Sequence, residues 1–302
     1  MKQQTKTHFL IRSLFVAFLA AMSLTSYAQE ADSDSTVNVI GWFCKHDTIV
    51  YSQREQVFAG MGKDTTMVSD ITRRYHIAVI DSTAKGFLME YCPLSIEFSD
   101  STGSENEIKL FMARRLQGVV IRFSTDEMGS VKQIENYKEV RDAVYSKCDS
   151  MVNEIYAANP LLYGKISKPD MLKTIHKRLE DTYGSKQRLL EKMDALALLF
   201  SNHGRYFELG EHESNDGDTQ SYVVVKRGKD EADDETATDD DYQIANRVQV
   251  SQSGGKATDI MIVTKYFSDG WPRYVYFSNE ESESQHFQIS FIEIEWESRA
   301  WE

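Results

Sequence analysis

Residues 74–98 read RYHIAVIDSTAKGFLMEYCPLSIEF, and this stretch decides the fold class. Tyr75, Ile77 and Val79 fall on one face of an extended segment, with Arg74, His76 and Ala78 on the other. That period of two marks a half-buried strand. Asp81 to Gly86 supplies turn residues, and Phe87 to Tyr91 reads as the returning strand. Leu94, Ile96 and Phe98 alternate again. Strands joined by so short a turn pair antiparallel.

The same pattern extends on both sides. Val37–Ile40 and Thr48–Tyr51 read as strands before this stretch, and Glu107–Leu116 and Val119–Ser124 after it. The period then changes. Tyr137, Val140, Val144, Cys148, Met151 and Ile155 recur at steps of three and four, the stripe of an amphipathic helix. Asn136 with Glu139 predicts a capping box at its start, and Asn159-Pro160 a stop. Ser167-x-x-Asp170 opens a second helix with Leu172, Ile175, Leu179 and Tyr183 on its face. Gly184-Ser185 breaks or kinks it before a further stripe from Leu190 to Phe200. Two or three helices are thus expected over about 136–203.

Strand text returns at Arg205–Leu209, Tyr222–Lys226, Ile244–Val250 and Ile260–Phe267. Asp269-Gly270 is a hairpin signal leading into Arg273–Phe277, with Pro272 at the first position of the returning strand. In the last strand, Phe287, Ile289 and Phe291 are apolar at odd positions, whereas Ile292, Ile294 and Trp296 are apolar at even ones. A one-residue slip reverses the buried face, so a β-bulge is expected near Phe291-Ile292. Strands, a helical block and more strands predict one α+β domain over 29–302. Its curved, mainly antiparallel sheet, open or a half-barrel, would be covered by the helices.

The first 28 residues carry an address. Lys2, Lys6 and Arg12 precede an apolar run from Leu14 to Leu24, and Ser26-Tyr27-Ala28 places small residues at −3 and −1 of a cut before Gln29. This predicts a cleaved signal peptide, export to the periplasm, outer envelope or medium, and no lipid anchor, since no Cys follows the run. The run is shorter than a membrane span needs, and no second run reaches that length.

The chain has 34 Lys and Arg against 47 Asp and Glu, a net charge of −13. Such a balance argues against a nucleic-acid partner, because phosphate neutralisation needs clustered bases. Removing residues 1–28 leaves 31 bases and 47 acids, a net of −16. Residues 211–241 alone hold 12 acids and three bases. This acidic loop lacks EF-hand spacing: Gly217 stands seventh from Glu211, and Tyr222 occupies the place of the bidentate Glu. It reads as a solvated insertion, with weak calcium binding as the alternative.

Catalytic motifs are missing from the text: G-x-S-x-G, H-E-x-x-H, C-x-x-C and G-x-G-x-x-G do not occur. No cofactor or metal site is therefore expected. Ser253–Thr258 lacks the first glycine of a phosphate loop and reads as a turn. Cys44 and Cys92 both lie in strand text and are the pair that an oxidising compartment could bridge. Cys148 lies on the helical stripe and reads as a small buried hydrophobe. Of the scattered histidines, His203 stands before Gly204 at a helix C-terminus, which favours an imidazolium. Trp271, Tyr274 and Tyr276 are the candidate ligand-contacting aromatics, with cross-strand packing as the alternative.

The leader ending Ser26-Tyr27-Ala28-Gln29-Glu30, and Val119–Val140 (VVIRFSTDEMGSVKQIENYKEV) with its Gly129 turn and Ile134-x-Asn136 element, resemble exported β-rich proteins of Bacteroidetes whose function is unassigned. The resemblance covers about a tenth of the chain. It implies an extracytoplasmic, non-catalytic β-rich domain, and it carries no active-site residues. Three functions follow as expectations. The first is a binding or envelope-associated protein holding an apolar or amphipathic ligand between sheet and helices, with a small molecule or an envelope protein as partner. The alternatives are a hydrolase using a carboxylate pair, and a structural or interaction module.

Overall fold

The computed structural model describes residues 35–300 except 62–63, 100–113, 115, 159, 215–218, 227–241, 253–255 and 284–285. The expected leader, the strand at Glu107–Leu116 apart from its last residues, and most of the acidic loop lie outside the described residues. So do Ser253, Gly254 and Gly255 of the expected turn.

The strands are β1 (Thr36–Asn38), β2 (Thr48–Met61), β3 (Asp64–Thr83), β4 (Gly86–Phe98), β5 (Ile121–Thr125), β6 (Val131–Ile134), β7 (Tyr206–Glu208), β8 (Gly210–Ser214), β9 (Thr219–Lys226), β10 (Tyr242–Gln252), β11 (Lys256–Tyr266), β12 (Pro272–Glu283) and β13 (His286–Ala300). Between β6 and β7 lie α1 (Tyr137–Tyr145), α2 (Cys148–Ala158), a 3₁₀ turn (Pro160–Gly164), α3 (Lys168–Tyr183), α4 (Lys186–Glu191) and α5 (Asp194–Leu199). The protein is α+β, and eleven strands form one antiparallel sheet in the order β6-β5-β4-β3-β2-β13-β12-β11-β10-β9-β8. The sheet is open, because β6 and β8 are its edges. β1 and β7 pair separately.

The central pair, β2 with β13, joins the two halves of the chain. Sheet side chains alternate, so the registers assign every strand residue to one of two faces. One face carries Ile49, Tyr51, Tyr75, Ile77, Val79, Met89, Tyr91, Ile121, Phe123, Val275 and Ile294, all buried. These join Val140, Val144, Met151, Leu179, Leu196, Leu199 and Phe200 of the helical block in one core cluster. The Tyr75-Ile77-Val79 face expected from the sequence is thus the core face. The other face carries ion pairs, Arg54 with Asp70 at 2.7 Å and Arg247 with Asp259 at 2.6 Å among them.

The helical block is divided more finely than its apolar stripe implies. The stripe from Tyr137 to Ile155 is two helices, because the backbone turns at Ser146 and Lys147. Ser185 opens α4 by accepting a hydrogen bond from the Arg188 amide at 3.1 Å, and Ser167 opens α3 through the Asp170 amide at 3.2 Å. Asn136 does not cap α1. Its Oδ1 accepts from the Arg122 amide at 2.8 Å and its Nδ2 donates to the Val120 carbonyl at 3.0 Å. An amide both donates and accepts, so it fills the gap beside β5 instead of serving the helix.

The bulge expected at Phe291-Ile292 is elsewhere. β12 and β13 pair without a shift from Tyr274↔Glu295 to Glu283↔His286, and the irregularity falls between Trp296 and Ser298. The apolar parity changes midway along β13 because its two halves bury opposite faces. Phe291 meets Phe58 and Tyr276 on the outer face, while Ile292 and Ile294 face the helices.

The hairpin at Asp269-Gly270 forms as expected, with Pro272 opening β12. Gly270 has φ +82°, and a Cβ there would run into the Ile40 carbonyl. The turn is pressed onto the segment before β2, where the Trp42 amide donates to the Asp269 carbonyl at 2.9 Å.

Candidate functional site

Where the helices cover the sheet, the space between the two is filled by side chains. Phe43, Phe200 and Trp271 pack there with ring centroids 4.3 Å (Phe43–Trp271) and 6.1 Å (Phe43–Phe200) apart. A ligand held between sheet and helices, as the sequence suggests, has no room at that end.

The same face of the sheet runs on past the helices. The register places Phe98, Ile71, Glu55, Ile292, Phe277, Ile262 and Asn246 in one row across β4, β3, β2, β13, β12, β11 and β10. The next row outward holds Val57, Ser290, Asn279, Ile260 and Val248. Ile71, Ile292 and Ile262 are buried, whereas Phe98, Val57, Phe277, Ile260 and Val248 are half-buried. Phe277 and Ile260 pack directly against the core cluster. The result is an apolar lane continuous with the core, whose outward row is half-buried among the described residues. The strands forming it are rich in β-branched residues, which suit a pleated surface.

Polar groups punctuate the lane at its inner end. Gln53 pairs across β2–β3 with Arg73 and across β2–β13 with Ile294. Its Oε1 is buried and has no hydrogen-bond partner, and the same holds for the Tyr75 hydroxyl and for Asn279 Oδ1. Gln53 is 3% exposed and Tyr75 0%. Tyr75 lies between Tyr51 and Tyr91, with centroids at 5.8 and 4.8 Å. Burial raises its pKa well above the usual tyrosine value, and the nearby Arg73 guanidinium works in the opposite direction. Arg73 is held by Glu55 at 2.6 Å. Burial likewise raises the pKa of Tyr91, the Arg73 guanidinium opposes the rise, and Asp194, at the start of α5, adds to it.

The sequence candidates are distributed differently from expectation. Trp271 is fully buried in the core; its Nε1 donates to Asp47 Oδ2 at 3.4 Å, so it contacts no outside molecule. Tyr274 and Tyr276 share the outer face, opposite Val275 and Phe277. Tyr274 lies under the Lys265 ammonium at 5.1 Å, and burial with the Glu293 carboxylate nearby pushes its pKa up to about 12. Tyr276 packs on Phe291 at 6.2 Å. Both therefore make the cross-strand contacts of an ordinary sheet. Cys44, Cys92 and Cys148 are all free thiols, so the bridge expected between Cys44 and Cys92 is not formed. Cys92 sits opposite His76, whereas the segment of Cys44 docks beside Val79 through the His46 amide.

His203 is also unlike its sequence expectation. It is buried, its Nε2 lies 3.0 Å from the Gly270 carbonyl, and its Nδ1 has no partner. Burial lowers its pKa to about 4, so the ring is neutral, with the proton on Nε2 donated to that carbonyl. Desolvation outweighs the helix end.

Asp47 and Asp269 converge, as a carboxylate-pair hydrolase would require. Arg299 spans them, 3.7 Å from Asp47 and in direct hydrogen-bonding contact with Asp269. Its side chain is 6% exposed. This cation neutralises the pair within packed side chains, which is a structural role. A concavity of about 320 Å³, lined among others by Asp81, Thr83, Lys85, Phe87, Leu88 and Ser124, has Asp81 as the one carboxylate among its described lining residues.

The acidic stretch is in part regular structure. Residues 210–214 and 219–226 are β8 and β9, which extend the sheet. His212 stacks on Tyr222 at 4.7 Å. Among the described residues, no group of three or more His, Cys, Asp and Glu is placed to hold a metal.

Sheet, helical block and lane define an α+β protein with a large open antiparallel sheet and an amphipathic strip on one face. No family model matches the sequence, and no curated protein matches it. A solved structure of lipovitellin, described for its lipid–protein interactions, is similar over 85% of this chain at 10% identity and a TM-score of 0.44. The matched span is 26% of the lipovitellin chain. Among the described residues, no helix is long and apolar enough to cross a membrane.

Proposed function

We propose that this chain is an exported, envelope-associated binding protein that holds an amphipathic molecule along the helix-facing side of its sheet, beyond the helices. The observation that carries this reading is the lane itself, in which Val57, Ile260, Phe277 and Val248 continue the core outward yet stay half-buried. Apolar surface of this kind gains about 25 cal/mol for each Å² that a ligand covers. Interspersed polar side chains suit a molecule with both characters. The leader pattern of residues 1–28 supports export.

The test uses N-phenyl-1-naphthylamine, an apolar dye that brightens on burial, titrated against the purified protein. Saturable binding is expected, and Phe277→Ser and Ile260→Ser each weaken it about ten-fold, as loss of a buried apolar contact requires. Absence of saturable binding, or unchanged affinity in both variants, overturns the lane. Export is checked by sequencing the N-terminus of the protein from fractionated cells, which should begin at Gln29.

A further inference from the structure

We propose that the turn joining α2 to α3, at the tip of the helical block, docks the protein on an anionic lipid surface. The turn is the 3₁₀ segment Pro160–Gly164, and its Leu161 is 84% exposed. Ile166, just past it, is 42% exposed. A single exposed leucine is ordinary, but this one sits in a basic frame. Residues 160–178 carry Lys165, Lys168, Lys173, Lys177 and Arg178 against Asp170 alone, in a chain whose net charge is −13. The tip is a different surface from the lane, and its role does not depend on the lane being a binding site.

Local contacts hold the tip in place. The Tyr156 hydroxyl of α2 donates to the Ile166 carbonyl, and Lys168 Nζ donates to Asn153 Oδ1 at 2.7 Å. Ser167 caps α3 and Pro169 stands in its first turn, which fixes where the helix begins. Ile175 and Leu179 turn into the core cluster, so Lys173, Lys177 and Arg178 are left on the exposed side. Lys173 and Lys177 are one helical turn apart on one face. Among the described residues, Lys165, Lys173, Lys177 and Arg178 enter no ion pair. Asp170, by contrast, is engaged at the cap, where it accepts from the Ser167 hydroxyl at 2.5 Å.

Charge selects the surface. An acidic chain is repelled by an anionic membrane except where a basic patch faces it, so attraction and orientation come from one feature. Lys165 and Lys168 flank the apolar turn. Lys173 follows Lys168 by about 8 Å along the helix and Lys177 by about 14 Å, within about one and two screening lengths at physiological salt. With the tip down, Leu161 and Ile166 enter the boundary of the acyl chains. The lysine stems lie along that boundary and their ammonium groups reach the phosphates. An apolar insertion or a polybasic patch alone holds a protein weakly, and the two together hold it stably.

The experiment sediments the purified protein with vesicles of equimolar phosphatidylglycerol and phosphatidylcholine, or of phosphatidylcholine alone. At physiological salt, binding to the anionic vesicles should be at least about ten-fold tighter, and it should fade as salt is raised. Lys165→Gln with Lys173→Gln should weaken it about 25-fold, about five-fold for each lysine, and Leu161→Ser about ten-fold. These side chains are exposed, so thermal melts and dye binding in the lane should match the wild type. Absence of binding to the anionic vesicles, or equal binding to both types, overturns the proposal, as does full affinity in both variants. A wild-type dimer that Leu161→Ser dissociates assigns the tip to a second copy of the chain and likewise overturns it. Vesicle and dye binding are read separately, so failure of one leaves the other standing.

Discussion

The guanidinium of Arg299 lies 3.7 Å from the carboxylate of Asp47, inside the core and under the ring of Trp271. A bulge makes this contact. Glu297 is the extra residue between Trp296↔Tyr51 and Ser298↔Val50, so the alternation of β13 reverses after it. Arg299 then pairs with Ile49 on the helix-facing side, while Glu297 reaches Arg74 on the outer side at 2.6 Å. Asp47 in turn anchors the entry to β2, accepting from the Cys44 amide at 2.9 Å.

Arg299→Gln should destabilise the protein by about 2–4 kcal/mol, because it leaves the buried Asp47 carboxylate without its cation and with the partly exposed Asp269 beside it. Urea unfolding measures this. Adding Asp47→Asn and Asp269→Asn should restore part of the loss. A single variant within about 1 kcal/mol of the wild type would show that the buried cation is not needed.

His203 makes stability depend on acidity. Its folded pKa, about 4, lies below the unfolded value near 6.5, so the unfolded chain binds the extra proton between those limits. Stability is complete above about pH 6.5 and declines as pH falls toward 4, by about 2 kcal/mol at pH 5. Melting temperatures should drop over this window in the wild type. In His203→Gln the drop should shrink, and an equally steep profile in that variant would assign the acid sensitivity to other groups.

Asn136→Ser separates two roles. Serine caps a helix as well as asparagine does, so a capping role would leave stability unchanged. The bonds to Arg122 and Val120 require an amide, and their loss should cost about 1–2 kcal/mol in chemical denaturation.

Gly270→Ala should cost more than about 1 kcal/mol, since the position has positive φ and its new methyl would strike the Ile40 carbonyl. Hydrogen exchange should then rise at the Trp42 amide, which bonds the Asp269 carbonyl in the same turn. Unchanged stability and exchange would mean that the segment can move aside freely.

Much of the fold was legible in the text because short-range physics wrote it. Period-two alternation at Tyr75, Ile77 and Val79 named the core face, and the period change at Tyr137 located the helical block. Ser167 and Pro272 marked their element starts. The candidate site was less legible. Trp271, Tyr274 and Tyr276 were singled out by residue type, and only packing showed that the first is core and the other two ordinary outer-face contacts. The alternation placed Tyr75 on the core face, but nothing in the text marked its hydroxyl or the Gln53 amide oxygen as unpaired, because a glutamine or tyrosine in a strand has no mark that says its polar atom will be left without a partner.

By itself, then, the sequence determined the α+β class, the antiparallel pairing of neighbouring strands and the order of strands, helices and strands. These depend on side-chain period and turn chemistry within a few residues. Only the tertiary structure decided that β13 returns to pair with β2, that Glu297 and not Phe291 carries the bulge, and that the helices cover one end of the sheet and leave the lane beyond them. Those outcomes depend on contacts between residues far apart in the chain, where no local periodicity records which partner a strand will meet or which part of its face another layer will cover.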